Sequence, residues 1–369
     1  MVEMIVDDQH RQNLINIAKK IGSAEKSRLA LDGPPSDAYL EYLSLMYNPE
    51  IAALIQPLKP FPESISVTQL AKLVNLDRKV LKKKLEEVVH YSFIVKQVGG
   101  YTLPPALSIH DTPFARKVLY DNPEIDIKKF ASISRKFFEE EHYKAWETTE
   151  DGTPRFRVVT VTEKIAPEQQ IIPLEEVYNI IDRNDSFTVV PCPCRHRAEI
   201  EGIRECKDKY PINNCISMGF LAVASAQNAK QTNDPNIRSV TKEEVKELTR
   251  KAAEMGLVHC TDNAAENSLI LCACCECCCS LLAGLVKFDN PRAIAKANYV
   301  SNIDEESCVA CGTCIERCKF NAITVDDFAL VNQERCVGCG LCAVTCPQEA
   351  ISMIRLEREE IPSKAHVLL

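Results

Sequence analysis

Six of the eight residues from 272 to 279, in the stretch LCACCECCCS, are cysteine, and no other feature limits the fold more. Neighbouring residues on one helix cannot each meet a distinct disulfide partner at the Cα separation of about 4–7 Å that the bond requires. An apolar core accommodates one or two such thiols, not six. The chain has 19 cysteines in 369 residues, an odd number. Its first twenty residues, MVEMIVDDQHRQNLINIAKK, lack the basic start and apolar run of a secretory leader. A cytoplasmic, reducing setting is therefore expected, in which thiols stay reduced and metal ligation is their best use.

A second cysteine pattern lies near the C-terminus. Residues 308–318 read CVACGTCIERC and residues 336–346 read CVGCGLCAVTC, so CxxCxxCxxxC occurs twice. Three thiolates at three-residue intervals suit one iron-sulfur cubane, and the fourth is carried away toward another. A pair of zinc ribbons would instead use two CxxC pairs per ion. The segment from about 301 to 355 resembles the bacterial ferredoxins with two [4Fe-4S] clusters. That resemblance implies one cluster on Cys308, Cys311, Cys314 and Cys346, and a second on Cys336, Cys339, Cys342 and Cys318. Pro347 follows the last cysteine as in that family, whereas Lys319 stands at the equivalent place in the first half. Eight Asp/Glu against four Lys/Arg over 301–355 give an acidic surface suited to a basic partner.

Ten of the remaining eleven cysteines fall into two groups. Cys192, Cys194, Cys206 and Cys215 lie in and after PCPCRHRAEIEGIREC, and Cys272, Cys274, Cys275, Cys277, Cys278 and Cys279 form the opening run. Within the run, Cys272, Cys275 and Cys278 repeat the cubane spacing, and Cys274 with Cys277 makes an interleaved CxxC. One or more further iron-sulfur clusters are the leading expectation. Zinc on Cys192, Cys194, Cys206 and Cys215, or an oxidant-sensing thiol cluster, are the alternatives. Cys260 has no assigned role. His196 is a candidate ligand, and Arg195, Arg197, Arg204, Lys207 and Lys209 are available to offset thiolate charge.

At the front, SVTQLAKLVNLDRKVLKKKLEEVVHYSFIVKQVGGYTLPP reads as a capped short helix, a turn, a longer helix and a Gly-Gly hairpin. This order resembles a winged helix-turn-helix over 37–105, with Gly99 and Gly100 at the wing tip. Arg78, Lys79, Lys82, Lys83 and Lys84 on the longer helix make a candidate phosphate-contacting row. Glu86 and Glu87 follow at once and the net charge is −8, which favours a docking or solvated face over DNA.

The expected architecture is α+β and multidomain: a helical, winged-helix-like part (1–112), a Cys-rich α+β part (113–300) and a ferredoxin domain with two [4Fe-4S] clusters and a short tail (301–369). In the middle part, strands are expected at 156–164 and 187–191, a cysteine-bearing loop with helices over 192–230, a hairpin-like pair at 257–260 and 268–272, and a helix from near Cys274. The longest apolar stretch, Ile216 to Ala226, is about half of what crosses a bilayer. No dinucleotide loop, P-loop or metalloprotease helix occurs in the sequence. The whole arrangement resembles a set of Cys-rich ferredoxin-domain proteins of strict anaerobes, which implies a multi-cluster redox protein. The expected function is single-electron transfer between a partner oxidoreductase and the ferredoxin domain, with oligomerisation open. The alternatives are a redox-responsive DNA-binding regulator and an oxidoreductase with an open iron site in the middle.

Overall fold

The computed structural model describes residues 8–24, 33–116, 119–120, 122–123, 125–143, 154–161, 165, 176–264, 268–356 and 358. Trp146 lies outside them. Two compact units result, one from Met1–Thr153, His196–Ile203 and Val367–Leu369, the other from Pro154–Arg195 and Arg204–His366.

The first unit opens with helices α1 (Asp8–Ala24), α2 (Asp37–Met46) and α3 (Pro49–Ile55). Ser36 caps α2 through the Tyr39 N–H, and Asn48 caps α3 with Pro49 at its first position, both standard helix-start chemistry. Helix α4 (Val67–Leu73) carries a complete capping box between Ser66 and Gln69, and Asp77 caps α5 (Arg78–His90). Strands β1 (Val95–Gln97) and β2 (Gly100–Thr102) form the expected hairpin, and Tyr101 bridges to Ile65. Gly100 sits at φ +149°, where a Cβ would collide with the Ile65 carbonyl; only glycine allows this approach.

Short helix α6 (Ala106–Asp111), a 3-10 turn at Thr112–Ala115 and α7 (Ile127–Glu140) complete the unit. The aromatic core explains why α7 belongs here and not with the Cys-rich part: Phe137 stacks on Tyr39 at 4.2 Å and Phe130 tilts against Tyr42 at 5.0 Å. Each such ring pair adds about 0.5–1.5 kcal/mol beyond its area burial.

The second unit is built on a six-stranded antiparallel sheet ordered β3-β7-β8-β5-β4-β6. In chain order these are β3 (Phe156–Val158), β4 (Phe187–Pro191), β5 (Asn213–Met218), β6 (Arg238–Val240), β7 (Val258–Asp262) and β8 (Ile270–Cys274). Helices α8 (Val177–Asp182), α9 (Pro193–Glu201), α10 (Gly219–Thr232) and α11 (Lys242–Met255) connect them, and α12 (Ser280–Val286) follows. The core beneath the sheet gathers Val159, Ile181, Met218, Val245 and Leu271.

Two expectations are corrected. The sequence from 192 to 230 is not only loop and helix: β5 runs through it, because NNCISM continues the pairing of β4 with a shift at Val190 and Pro191. The apolar stretch 216–226 is the end of β5 and the start of α10. No helix begins at Cys274; β8 extends to that residue and the helix starts at Ser280.

The C-terminal region belongs to this same unit. It comprises β9 (Tyr299–Ile303), α13 (Thr313–Arg317), the hairpin β10 (Ile323–Val325) and β11 (Ala329–Val331), α14 (Leu341–Val344) and β12 (Ile351–Arg355). β9 and β12 pair antiparallel. Gly312 and Gly340, with φ of 77° and 80°, precede α13 and α14 at matching places in the two halves. Among the described residues no helix is long and apolar enough to cross a membrane.

Candidate metal centres

In the C-terminal region the two CxxCxxCxxxC loops fold around two separate spaces. Cys308, Cys311, Cys314 and Cys346 line one, and Cys318, Cys336, Cys339 and Cys342 line the other. Each set contains three cysteines of one motif and the last of the other, the division the ferredoxin resemblance implies. The donor chemistry suits iron-sulfur clusters. Backbone N–H groups of Ala329 and Ala322 point at the sulfurs of Cys308 and Cys318, at 3.4 and 3.3 Å, and hydrogen bonds of this kind tune a cluster's potential. Burial pushes the Cys339 thiol well up and the Cys342 thiol up to about 12, so these sulfurs hold protons until a metal displaces them. Cys311 is exposed, and the Thr313 hydroxyl beside it lowers its pKa.

The middle cysteines answer the question of the run by dividing it. Strand alternation sends Cys272 and Cys274 to one face of β8 and Ala273 to the other. Past the end of the strand, Cys275, Cys277 and Cys278 converge on Cys206, and the four sulfurs all lie within 4.8 Å of one another. Cys206 stands 3.8 Å from Cys278 and 4.0 Å from Cys275, and Cys277 stands 3.6 Å from Cys278. The neighbouring thiols of Cys277 and Cys278, and then Arg195, lower the Cys275 pKa against the effect of burial, while the same neighbours push Cys277 and Cys278 up.

The other six form a ring of mutually interacting thiols. Cys215 stands 3.6 Å from Cys272. Cys192 with Cys194 and Cys215, Cys272 with Cys274, Cys274 with Cys279, and Cys279 with Cys194 shift one another's pKa. Cys194 also approaches the Ser280 hydroxyl at 3.6 Å. The neighbouring thiols, together with burial, push Cys192 and Cys279 well above the usual thiol range.

Neither sequence-based grouping holds in space. Cys206 leaves Cys192, Cys194 and Cys215, so those four do not make one tetrahedral site. The spacing Cys272, Cys275, Cys278 is likewise split between the ring and the four-thiol group, because a strand followed by a turn does not present every third residue to one point.

Cys260, opposite Cys272 in the β7–β8 register, belongs to the ring's surroundings. Its hydrogen bond with Cys274 works to lower its pKa, but burial and the sulfurs of Cys272, Cys339 and Cys215 raise it on balance. Cys339 is a ligand position of the second ferredoxin set. The link also runs through hydrogen-bonded backbone: Val158 pairs with Cys260, and past the same strand Thr160 donates to the Gly338 carbonyl at 2.8 Å and Val161 N–H to the Cys339 carbonyl at 3.4 Å. Residue spacing gave no signal for this role.

Arg195 is fully buried beside both thiol groups. Burial disfavours its charge, but the sulfurs of Cys192, Cys275, Cys274 and Cys215 outweigh that and raise its pKa. Two of its nitrogens donate to the Ala273 carbonyl at 3.1 Å, and one also reaches Asn214 Oδ1. The other cations flanking these cysteines point elsewhere: Arg204 bonds the Tyr210 carbonyl and Lys209 lies over the Tyr210 ring at 5.1 Å. Arg197 pairs with Asp111 at 3.3 Å. His196 uses both ring nitrogens, on the Phe114 carbonyl and the Tyr120 hydroxyl, each at 2.7 Å, so it is not a ligand.

On the first unit, Arg78, Lys79, Lys82 and Lys83 are exposed along α5, whereas Lys84 pairs with Glu50 at 2.9 Å.

No curated protein and no solved structure matches the chain. Residues 301–353 match the family model of the 4Fe-4S dicluster domain, and the C-terminal region of this protein is therefore a 4Fe-4S domain of the ferredoxin type.

Proposed function

We propose that the protein is a multi-cluster iron-sulfur electron-transfer protein, or the electron-transfer subunit of an oxidoreductase, passing single electrons between a partner and its ferredoxin domain. Clusters bound by Cys308, Cys311, Cys314, Cys346 and by Cys336, Cys339, Cys342, Cys318 would supply one-electron carriage. The observation that carries the reading is the position of Cys260, opposite Cys272 of the six-thiol ring in the β7–β8 register and opposite Val158 of β3, the strand past which the Val161 N–H meets the Cys339 carbonyl. The ring holds the additional iron-sulfur centre in this reading. The partner docks at the opposite end of the route, where Cys311 and Val309 are exposed amid Asp304, Glu305, Glu306 and Glu316; a basic patch is its expected complement. Anaerobic purification followed by dithionite titration under EPR tests this. Signals beyond those of two ferredoxin clusters, lost on Cys215→Ser, are expected; a spectrum unchanged by that substitution would sink it.

A second reading has one observation in its favour, the four exposed cations on α5 beside the β1–β2 hairpin. It makes the first unit a winged helix and the protein a redox-responsive regulator. Gel shifts on genomic fragments with the clusters reduced, oxidised and absent separate the two, and failure to bind at any salt concentration removes the second.

A further inference from the structure

We infer that Cys206, Cys275, Cys277 and Cys278 hold a single tetrahedral metal ion, without sulfide, as a centre distinct from every iron-sulfur cluster of the chain. Four thiolates on one ion with metal-sulfur bonds of about 2.3 Å stand about 3.8 Å apart along the tetrahedron's edges. The observed separations of 3.6, 3.8 and 4.0 Å match that edge. Four thiolates of a cubane sit on four different irons and are spread around the cluster's volume.

The chain supplies its own standard for the second arrangement. Neither ferredoxin set includes three sulfurs mutually within 4.8 Å, and each lines a separate space of its own. The six-thiol ring also fails to bring three sulfurs that close, so among the described residues only the four-thiol group converges on one point. These four are packed among Tyr210, Ala252, Leu257 and Ala273.

The ligands also have the character of a closed, structural centre. Four thiolates leave no open coordination position, and zinc or iron both accept such a set. Cys206 is brought from the segment after α9, while the other three come from the turn after β8. An ion here would cross-link two segments that also carry ring cysteines, fixing the ring's shape. This inference does not rest on electron transfer by the ring.

The test is elemental analysis of the full chain purified without oxygen, as wild type, C206S and C277S. Iron, zinc and acid-labile sulfide are counted per polypeptide. Each substitution is expected to remove about one ion per chain and no sulfide, with the reduced ferredoxin EPR signal retained. Loss of sulfide together with several irons would overturn the inference, as would wild type in which neither substitution changes the metal count. Should both variants fail to fold, X-ray absorption of wild type at the zinc edge decides, and if zinc is missing the Mössbauer spectrum of iron-57-enriched wild type decides, a lone high-spin iron being distinct from cluster iron. A shell of sulfur alone at about 2.3 Å supports the single ion; zinc and iron both without such a sulfide-independent site refute it. Iron limited to the ferredoxin sets would end the proposed role of the ring yet leave this result standing.

Discussion

Lys319 Nζ lies 2.7 Å from Glu276 Oε1, which ties the residue after the first ferredoxin motif to the one acid within the cysteine run. The second motif has Pro347 at the corresponding position. The departure from the ferredoxin pattern is thus an internal anchor: Lys319 is only 10% exposed and Glu276 36%. Arg317, two residues earlier, reinforces it by donating to the Ala253 carbonyl at 2.8 Å and to that of Glu254.

Lys319→Ala should lower stability by about 1–2 kcal/mol, a value between those of exposed and buried ion pairs. Glu276→Ala should cost more, since it leaves the nearly buried lysine charge without its partner, whereas a lone Glu276 is exposed enough to reach water. The double variant should lose less than the sum, which a thermal-melt cycle measures. Additive losses would mean that the pair does not couple the two segments.

Arg195 offers a test by charge. Arg195→Met removes a cation among four nearby sulfurs, so the reduced, more negative state of a centre in the ring loses stabilisation and its potential should fall. Arg195→Lys should not restore the wild-type potential, because a point charge lacks the two-nitrogen grip on the Ala273 carbonyl. Redox titration followed by EPR reads both. An unchanged potential in the folded Met variant would show that no charged centre lies beside this arginine.

Gly338 lies at φ +75° with the Tyr299 carbonyl where a Cβ would stand. Gly338→Ala should therefore displace the loop bearing Cys336, Cys339 and Cys342, at a backbone cost of about 1–3 kcal/mol. Iron should fall by about four per chain if that loop holds one cubane. Gly202→Ala is the control, since nothing lies within 4 Å of a Cβ there. Full iron retention in G338A would contradict the loop's role.

Cys192→Ser and Cys215→Ser act on the ring alone. Both should lower iron and sulfide together while leaving the ferredoxin spectrum and the ion of the four-thiol group in place. A fall in zinc, with iron unchanged, would assign the ring to zinc instead.

The ferredoxin region was legible because its ligands are local: three cysteines per loop have a fixed spacing, and only Cys318 and Cys346 must cross to the other set. The capped start of α4 at Ser66 was legible for the same reason, its cap being a contact within three residues. The middle cysteines were not. Their partners are fixed by sheet pairing over long separations, as with Cys215 and Cys272, which are 57 residues apart. Periodicity within the run suggested a helix and a cubane spacing, whereas the β7 pairing drew residues as far as Cys274 into a strand. Cys260 carried no pattern at all, since its significance comes from its neighbours across β7, β8 and the Cys339 loop.

The most direct measurement of the central claim is the count of iron, acid-labile sulfide and zinc in anaerobically purified full-length protein, joined to EPR of the dithionite-reduced sample. The account predicts about twelve or more irons per chain, with sulfide to match and spectra of interacting centres beyond the ferredoxin pair. About eight irons, matching sulfide and zinc throughout the middle cysteines would contradict it and leave the six-thiol ring without a part in electron transfer.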